Sequence, residues 1–143
     1  MKFSTIHHIA IIVSDYEKSR DFYVNKLGFS VIRENYRPDR GDWKLDLRIN
    51  DTTELEIFGV SNPPKRVTRP EAAGLRHLAF YTEDIEKDVK ELKEKGISVE
   101  PIRLDAFTGK KMTFLQIQTG FLWSCMNREV NFFLAKYALF AVS

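Results

Sequence analysis

An internal repeat constrains the fold of this chain more than any other feature of its sequence. Residues 8–18 align with residues 77–87 at an offset of 69, and identical His, Ala, Asp, Glu and Lys residues coincide. The offset becomes 68 further along, where Gly28 aligns with Gly96. The 143 residues therefore contain two copies of one module of roughly 60 residues.

The local pattern of each copy predicts the element order βαβββ. In the first copy, residues 8–13 form a β-rich apolar run, Asp15 can cap the helix that follows, and Gly28 can end that helix. Three strands are then predicted at residues 29–34, 43–50 and 54–60. In the second copy, the corresponding helix is predicted to end at Gly96.

The repeat predicts an α+β fold, in which two tandem βαβββ modules form one domain over residues 1–143. Its parts are module one at residues 5–60, a linker at 61–74, module two at 75–128 and an atypical tail at 117–143. The linker contains three prolines, which favour an irregular connection over a further helix or strand.

Composition argues against several classes of protein. Lys and Arg number 22 against 20 Asp and Glu, so the net charge of +2 gives no basic excess of the kind that nucleic-acid binding needs. Apolar runs stay shorter than the roughly 18 residues of a transmembrane helix, so we expect no membrane partner. Cys125 has no second cysteine to pair with, which predicts a cytoplasmic location.

His8 and His77 occupy equivalent positions at the start of the two modules. Alternate side chains of a strand share a face, so His8 points away from the helix if Ile9 and Ile11 pack beneath it. A single histidine in a strand is more often structural. Duplication, however, places two of them around a pseudo-twofold axis, which favours a shared site.

Glu54 and Glu56 alternate with apolar residues and therefore share one face of a predicted strand. We expect one of them to lie inward, where a carboxylate needs a nearby cation. Two imidazoles and carboxylate oxygens suit a divalent metal ion such as Zn, Ni, Co or Mn. Ordinary solvated glutamates on a surface strand are the alternative interpretation.

The chain resembles the vicinal oxygen chelate superfamily, most closely its glyoxalase I-like (lactoylglutathione lyase-like) branch. The resemblance covers residues 5–116 and is carried by His8, Glu56, His77 and the run of residues 69–77. It implies the curved sheet of glyoxalase and bleomycin-resistance proteins, and a divalent metal ion as cofactor. The metal ligands that it implies are His8, Glu56 and His77, with a glutamate expected at position 124 as the fourth.

The same resemblance implies a reaction. The metal would chelate two neighbouring oxygens of a small substrate and stabilise an enediolate-like intermediate. Glu56 would be the catalytic residue that moves a proton between adjacent carbons. The type reaction of the family isomerises the hemithioacetal formed by methylglyoxal and a thiol such as glutathione. Two-module members commonly dimerise, so a homodimer is expected.

Four residues are candidates for binding a small-molecule substrate. Arg37, Arg69 and Arg76 could belong to an anion clamp for carboxylates or phosphates, and Trp43 could line the pocket. Solvated surface charge is the alternative for the arginines, and core packing is the alternative for the tryptophan.

Other functions fit the same fold. A metal-dependent thiol transferase that confers antibiotic resistance, an epimerase and an extradiol dioxygenase use a similar ligand set. A metal-free or metal-bound drug-binding resistance protein belongs to a different functional class. Metal content after purification separates an enzyme from a metal-free binder.

The tail departs from the repeat. Residues 117–143 contain only 3 charged residues, and 17 of these 27 residues are apolar. Ser124 stands where the family pattern expects a glutamate. Codons for residues 117–128 can be chosen so that one added G shifts the frame to DPDGFPLELYES followed by a stop. This alternative supplies the turn, the closing strand and the glutamate of the family, so we interpret residues 117–143 as an out-of-frame translation.

The hypothesis has a direct test in the gene. The gene should be sequenced across the codon for Gln116. Adding one base there should give a frame that encodes DPDGFPLELYES, with glutamate at position 124, because the protein sequence largely fixes the first and second base of each codon. A reading frame with no such neighbouring alternative would refute it.

Overall fold

The computed structural model describes residues 3–117 and 122–128. Contacts divide this part of the chain into two units. Unit one contains residues 3–75 and Ile117, and unit two contains residues 76–116 and 122–128. The remaining positions of the predicted tail lie outside the described residues.

Unit one has the predicted element order, with a helix that changes its hydrogen-bonding pattern partway along. Its elements are β1 (His8–Val13), α1 (Tyr16–Arg20), a π-helical segment (Asp21–Lys26), β2 (Ser30–Arg37), β3 (Asp42–Arg48) and β4 (Glu54–Gly59). Gly28 follows the helical segment with a φ of +79°, a conformation that glycine adopts at little steric cost.

The strands of unit one form a mixed sheet in the order β1-β4-β3-β2. Strand β1 runs parallel to β4, and the other pairs are antiparallel. The register places His8 opposite Glu54 and Ala10 opposite Glu56. The last strand of the module therefore lies between its first and third strands.

The two faces of this sheet differ in chemistry. The helix face carries the buried apolar core, in which Leu45, Leu47, Leu55 and Ile57 have no exposed surface. Tyr16, at the start of α1, stacks against Trp43 on this face. The opposite face, called the His8 face below, carries alternate residues of the same strands. It includes His8, Ala10, Arg33, Arg37, Asp42, Lys44, Asp46, Glu54, Glu56 and Phe58.

Unit two repeats the arrangement. Its elements are β5 (His77–Thr82), α2 (Ile85–Glu94), β6 (Arg103–Leu104), β7 (Lys111–Gln116) and β8 (Leu122–Asn127). The sheet order is β5-β8-β7-β6, with β5 parallel to β8. The predicted α+β fold and the βαβββ order of both modules are thus confirmed. Among the described residues, no helix is long and apolar enough to cross a membrane.

Both helices begin at an aspartate that the repeat aligns. The side chain of Asp15 accepts a hydrogen bond from the backbone N–H of Lys18 at 3.1 Å, and Asp84 accepts one from Lys87 at 3.0 Å. Each bond satisfies a backbone donor that has no partner within the first helical turn. The sequence pattern therefore specifies where each helix starts.

Replacing Asp84 by alanine should lower the free energy of unfolding by about 1 kcal/mol, because the cap of α2 is lost. Asp84→Asn is the matched control, since an asparagine oxygen also caps a helix. Urea unfolding followed by circular dichroism measures both variants. Equal stability of Asp84→Ala and the wild type would contradict the role of the cap.

Candidate functional site

His8 and Glu56 lie next to each other on the His8 face. The parallel register brings the two side chains together from neighbouring strands, and His8 Nε2 is 3.9 Å from Glu56 Oε2. The His8 side chain is 45% exposed and that of Glu56 is 15% exposed. A small molecule can therefore reach the histidine, whereas the carboxylate is largely withdrawn from water.

Lys44 holds the other oxygen of Glu56. Its Nζ donates to Glu56 Oε1 at 3.0 Å and lies 3.1 Å from Asp46 Oδ1. The hydrogen bond to Glu56 and the charges of both carboxylates raise the pKa of Lys44 despite its partial burial. Lys44 is thus a protonated ammonium bridging two carboxylates.

Asp46 is the buried centre of this charge network. Its side chain is only 3% exposed and accepts a hydrogen bond from Arg33 Nε at 2.8 Å. Burial alone would raise the pKa of Asp46, but the hydrogen bond from Arg33 and the ion pair with Lys44 outweigh burial and lower the pKa. Arg33 also reaches Glu54 at 3.4 Å. Three carboxylates and two cations consequently alternate across the His8 face.

Arg37 lies on the same face, but a carboxylate engages it. Its Nε and one terminal nitrogen donate to the two oxygens of Asp42, each at 2.6 Å. This paired hydrogen bond lowers the pKa of Asp42. The guanidinium carbon lies 4.8 Å from the centre of the Phe58 ring. A substrate anion would therefore share Arg37 with Asp42.

Trp43 lies on the other face of the sheet from His8 and Glu56. Its ring stacks on Tyr16 with centroids 5.4 Å apart, and its edge meets Tyr36. It is 38% exposed. The structure therefore places Trp43 beside the helix.

Of the two remaining substrate-binding candidates, Arg69 lies within the linker and Arg76 follows it. Arg69 is exposed in a turn of unit one, and Arg76 is exposed immediately before β5 of unit two. The hydrogen bonds and ion pairs that link the described side chains of the His8 face are made by other residues than Arg69.

His77 opens β5 and is half-buried, with its ring edge-on to Phe114 at 5.4 Å between centroids. The register of unit two places Ser124 opposite Ala79, as Glu56 stands opposite Ala10 in unit one. Ser124 is buried, at 4% exposure. Position 124 is thus the structural counterpart of Glu56, but its hydroxyl lacks the charge of a carboxylate.

His8 and Glu56 form a pair of donors whose chemistry suits a divalent metal. Two ligands of one tetrahedral ion with bonds of about 2.1 Å lie about 3.4 Å apart, and His8 Nε2 and Glu56 Oε2 are 3.9 Å apart. Within the described ranges, no group of three or more His, Cys, Asp or Glu side chains is clustered tightly enough to hold an ion. Imidazole and carboxylate together suit Zn, Ni, Co or Mn.

Asp46→Asn should destabilise the protein by roughly 1–3 kcal/mol at pH 7, because charged hydrogen bonds to a buried group are lost. The pKa of Asp46 is lowered from 3.8 in the folded state, so its contribution is present above that value. It is lost as the pH falls through the folded pKa. The stability difference between the two proteins should therefore shrink on acidification.

Urea unfolding of both proteins from pH 7 into the acid range measures this difference in stability. Asp39→Asn, at an exposed position, is the control. A stability difference that stays constant into the acid range would count against ionisation of Asp46 as its source.

Comparisons with known proteins identify relatives of the chain. Residues 5–124 match the Glyoxalase/Bleomycin resistance protein/Dioxygenase superfamily. The chain is 60% identical over 114 residues to YwkD of Bacillus subtilis (strain 168), covering 80% of this chain and 89% of that protein. It is 30% identical over 115 residues to mitochondrial methylmalonyl-CoA epimerase of Bos taurus, covering 77% and 65% respectively.

A solved structure shows the same fold. The glyoxalase family protein from Enterococcus faecalis superposes with a TM-score of 0.83 at 51% sequence identity, covering 88% of this chain and 99% of that one. The family match spans both modules and reaches the position opposite Ala79. The chain therefore belongs to the Glyoxalase/Bleomycin resistance protein/Dioxygenase superfamily.

Proposed function

We propose that this protein is a metal-dependent lyase or isomerase that moves a proton between adjacent carbons of a small substrate. The substrate carries two neighbouring oxygens, as in the hemithioacetal of methylglyoxal and a thiol. The observation that carries the proposal is the placement of Glu56, a shielded carboxylate 3.9 Å from His8.

The surroundings of Glu56 suit a group that accepts and returns a proton. Lys44 fixes Oε1, so Oε2 is the oxygen that faces His8. Partial burial limits the water that competes for the carboxylate, and the fixed orientation lowers the cost of aligning it with a substrate carbon. Glu54 lies on the same strand but pairs with Arg33 instead.

The proposed metal ligands are His8, Glu56 and His77. A bound divalent ion would polarise the substrate oxygens as a Lewis acid. Ser124 offers no carboxylate, so the proposed set is three side-chain ligands, the number typical of catalytic zinc sites with an open position. We therefore expect a lower metal affinity than in a relative with four side-chain ligands.

The relatives support proton-transfer chemistry without specifying the substrate. Methylmalonyl-CoA epimerase, a relative by sequence, is named for an epimerisation, and inverting a carbon centre requires the removal and return of a proton. We further propose Arg37, Arg69 and Arg76 as substrate-binding residues, and we do not extend this role to Trp43, which lies on the helix face. Of these, Arg37 has the best support, because it shares the His8 face with Glu56.

Three further features belong to this proposal: a homodimeric state, a cytoplasmic location and an out-of-frame tail. The register supports the last of these, because Ser124 occupies the place that corresponds to Glu56. In the alternative frame, position 124 can encode glutamate, which would restore the ligand set that the family resemblance implies.

Glu56→Gln should reduce turnover of the methylglyoxal–thiol hemithioacetal by at least 100-fold, since an amide cannot accept the proton. Glu54→Gln is the matched control on the same face and strand, and it should retain activity within a few-fold. Turnover with several low-molecular-weight thiols, and epimerisation of an acyl thioester, should be assayed for both variants.

Metal analysis of the purified chain completes the test. His8→Ala and His77→Ala should each lower bound Zn, Ni, Co or Mn below the wild-type amount. Equal activity of Glu56→Gln and Glu54→Gln would contradict the proposed role of Glu56. Tight drug binding by a wild-type protein that holds no metal would favour a binding module.

A further inference from the structure

Lys44 occupies an unusual place for a cation, because it lies against the carboxylate proposed to bind the metal. Its Nζ is 3.0 Å from Glu56 Oε1 and 3.1 Å from Asp46 Oδ1. Its side chain is 27% exposed, so water screens these contacts less than it would at an open surface. The charge of Glu56 is therefore already partly neutralised before any metal binds.

We propose that Lys44 is an internal competitor of the metal, a resident cation that weakens divalent-ion binding at His8 and Glu56. This inference rests on the proposed function, because it concerns the same carboxylate. A divalent ion on Glu56 Oε2 would weaken the hydrogen bond that Oε1 accepts from Lys44.

The physical basis is repulsion between like charges on one small carboxylate. A metal bonded to Glu56 Oε2 would share one carboxylate with the ammonium that already holds Oε1. Each cation also withdraws electron density from the carboxylate that the other binds. A neutral side chain at position 44 removes both effects and leaves Glu56 more attractive to a divalent ion.

The network tolerates the loss of Lys44 because Asp46 has a second partner. Arg33 Nε donates to Asp46 Oδ2 at 2.8 Å, so the buried carboxylate keeps a counter-charge in Lys44→Met. The Lys44 ammonium also lies 5.7 Å from the centre of the Phe58 ring. Methionine keeps an unbranched side chain that can pack against that ring.

The test is calorimetric titration of Ni²⁺ into the metal-free full-length chain. Lys44→Met should bind at least tenfold more tightly than the wild type, and Lys44→Arg, which keeps the charge, should stay within about threefold of it. Lys90→Met is the matched control, because Lys90 is exposed on α2 and pairs only loosely with Glu94 at 3.9 Å. Its affinity should equal that of the wild type.

A His8→Ala change in the Lys44→Met background locates the effect and should abolish the gain. Affinity in Lys44→Met equal to or weaker than the wild type overturns the competitor role, while the proposed metal site stands. Metal binding by Lys44→Met with none by the wild type supports the competitor role in its strongest form. No binding by either protein overturns the proposed metal site and the competitor role with it.

Discussion

The parallel pairing of the first and last strands of each module is the constraint on which the rest of the structure depends. In the sheet formed by the described strands of unit one, β1 pairs with β4 alone, so β4 satisfies the backbone hydrogen bonds on the inner edge of β1. The register of that pair also brings His8 beside Glu56. A one-residue slip would turn Glu56 onto the helix face and bury it among leucines. Fold and candidate site are therefore specified by the same ladder of hydrogen bonds.

The structure of unit one also depends on a network of charged side chains around Asp46. Asp46 is almost fully buried, and an isolated charge there would be strongly unfavourable. Arg33 and Lys44 compensate it, and each extends to a glutamate of β4. The orientation of Glu56 is consequently tied to the burial of a carboxylate on the neighbouring strand. Module two has Phe114 opposite Ser124, where module one has Asp46 opposite Glu56, so the described part of module two does not repeat this network.

The repeat in the sequence predicted the element order of both units, because strand runs, aspartate caps and glycine stops are local signals. It also predicted the face on which His8 lies, since alternation along β1 decides that face. The sequence did not reveal that Lys44 bridges two carboxylates or that Asp42 engages Arg37. These contacts depend on pairing between β2, β3 and β4, including a bulge between Val31 and Arg33. Charged residues at alternate positions of β3 were the available signal.

Insertion of the last strand between two earlier ones also sets the order in which the chain can assemble as it is synthesised. Strand β4 completes the first sheet before the second module has been made, so unit one can close early. In the second sheet, β8 lies between β5 and β7 and pairs with both. Until β8 has been made, β5 and β7 are therefore not joined to each other. During that interval both present unpaired backbone edges, which are open to pairing with other chains. The moment at which β8 joins the sheet therefore determines how long the nascent protein is exposed to pairing with other chains.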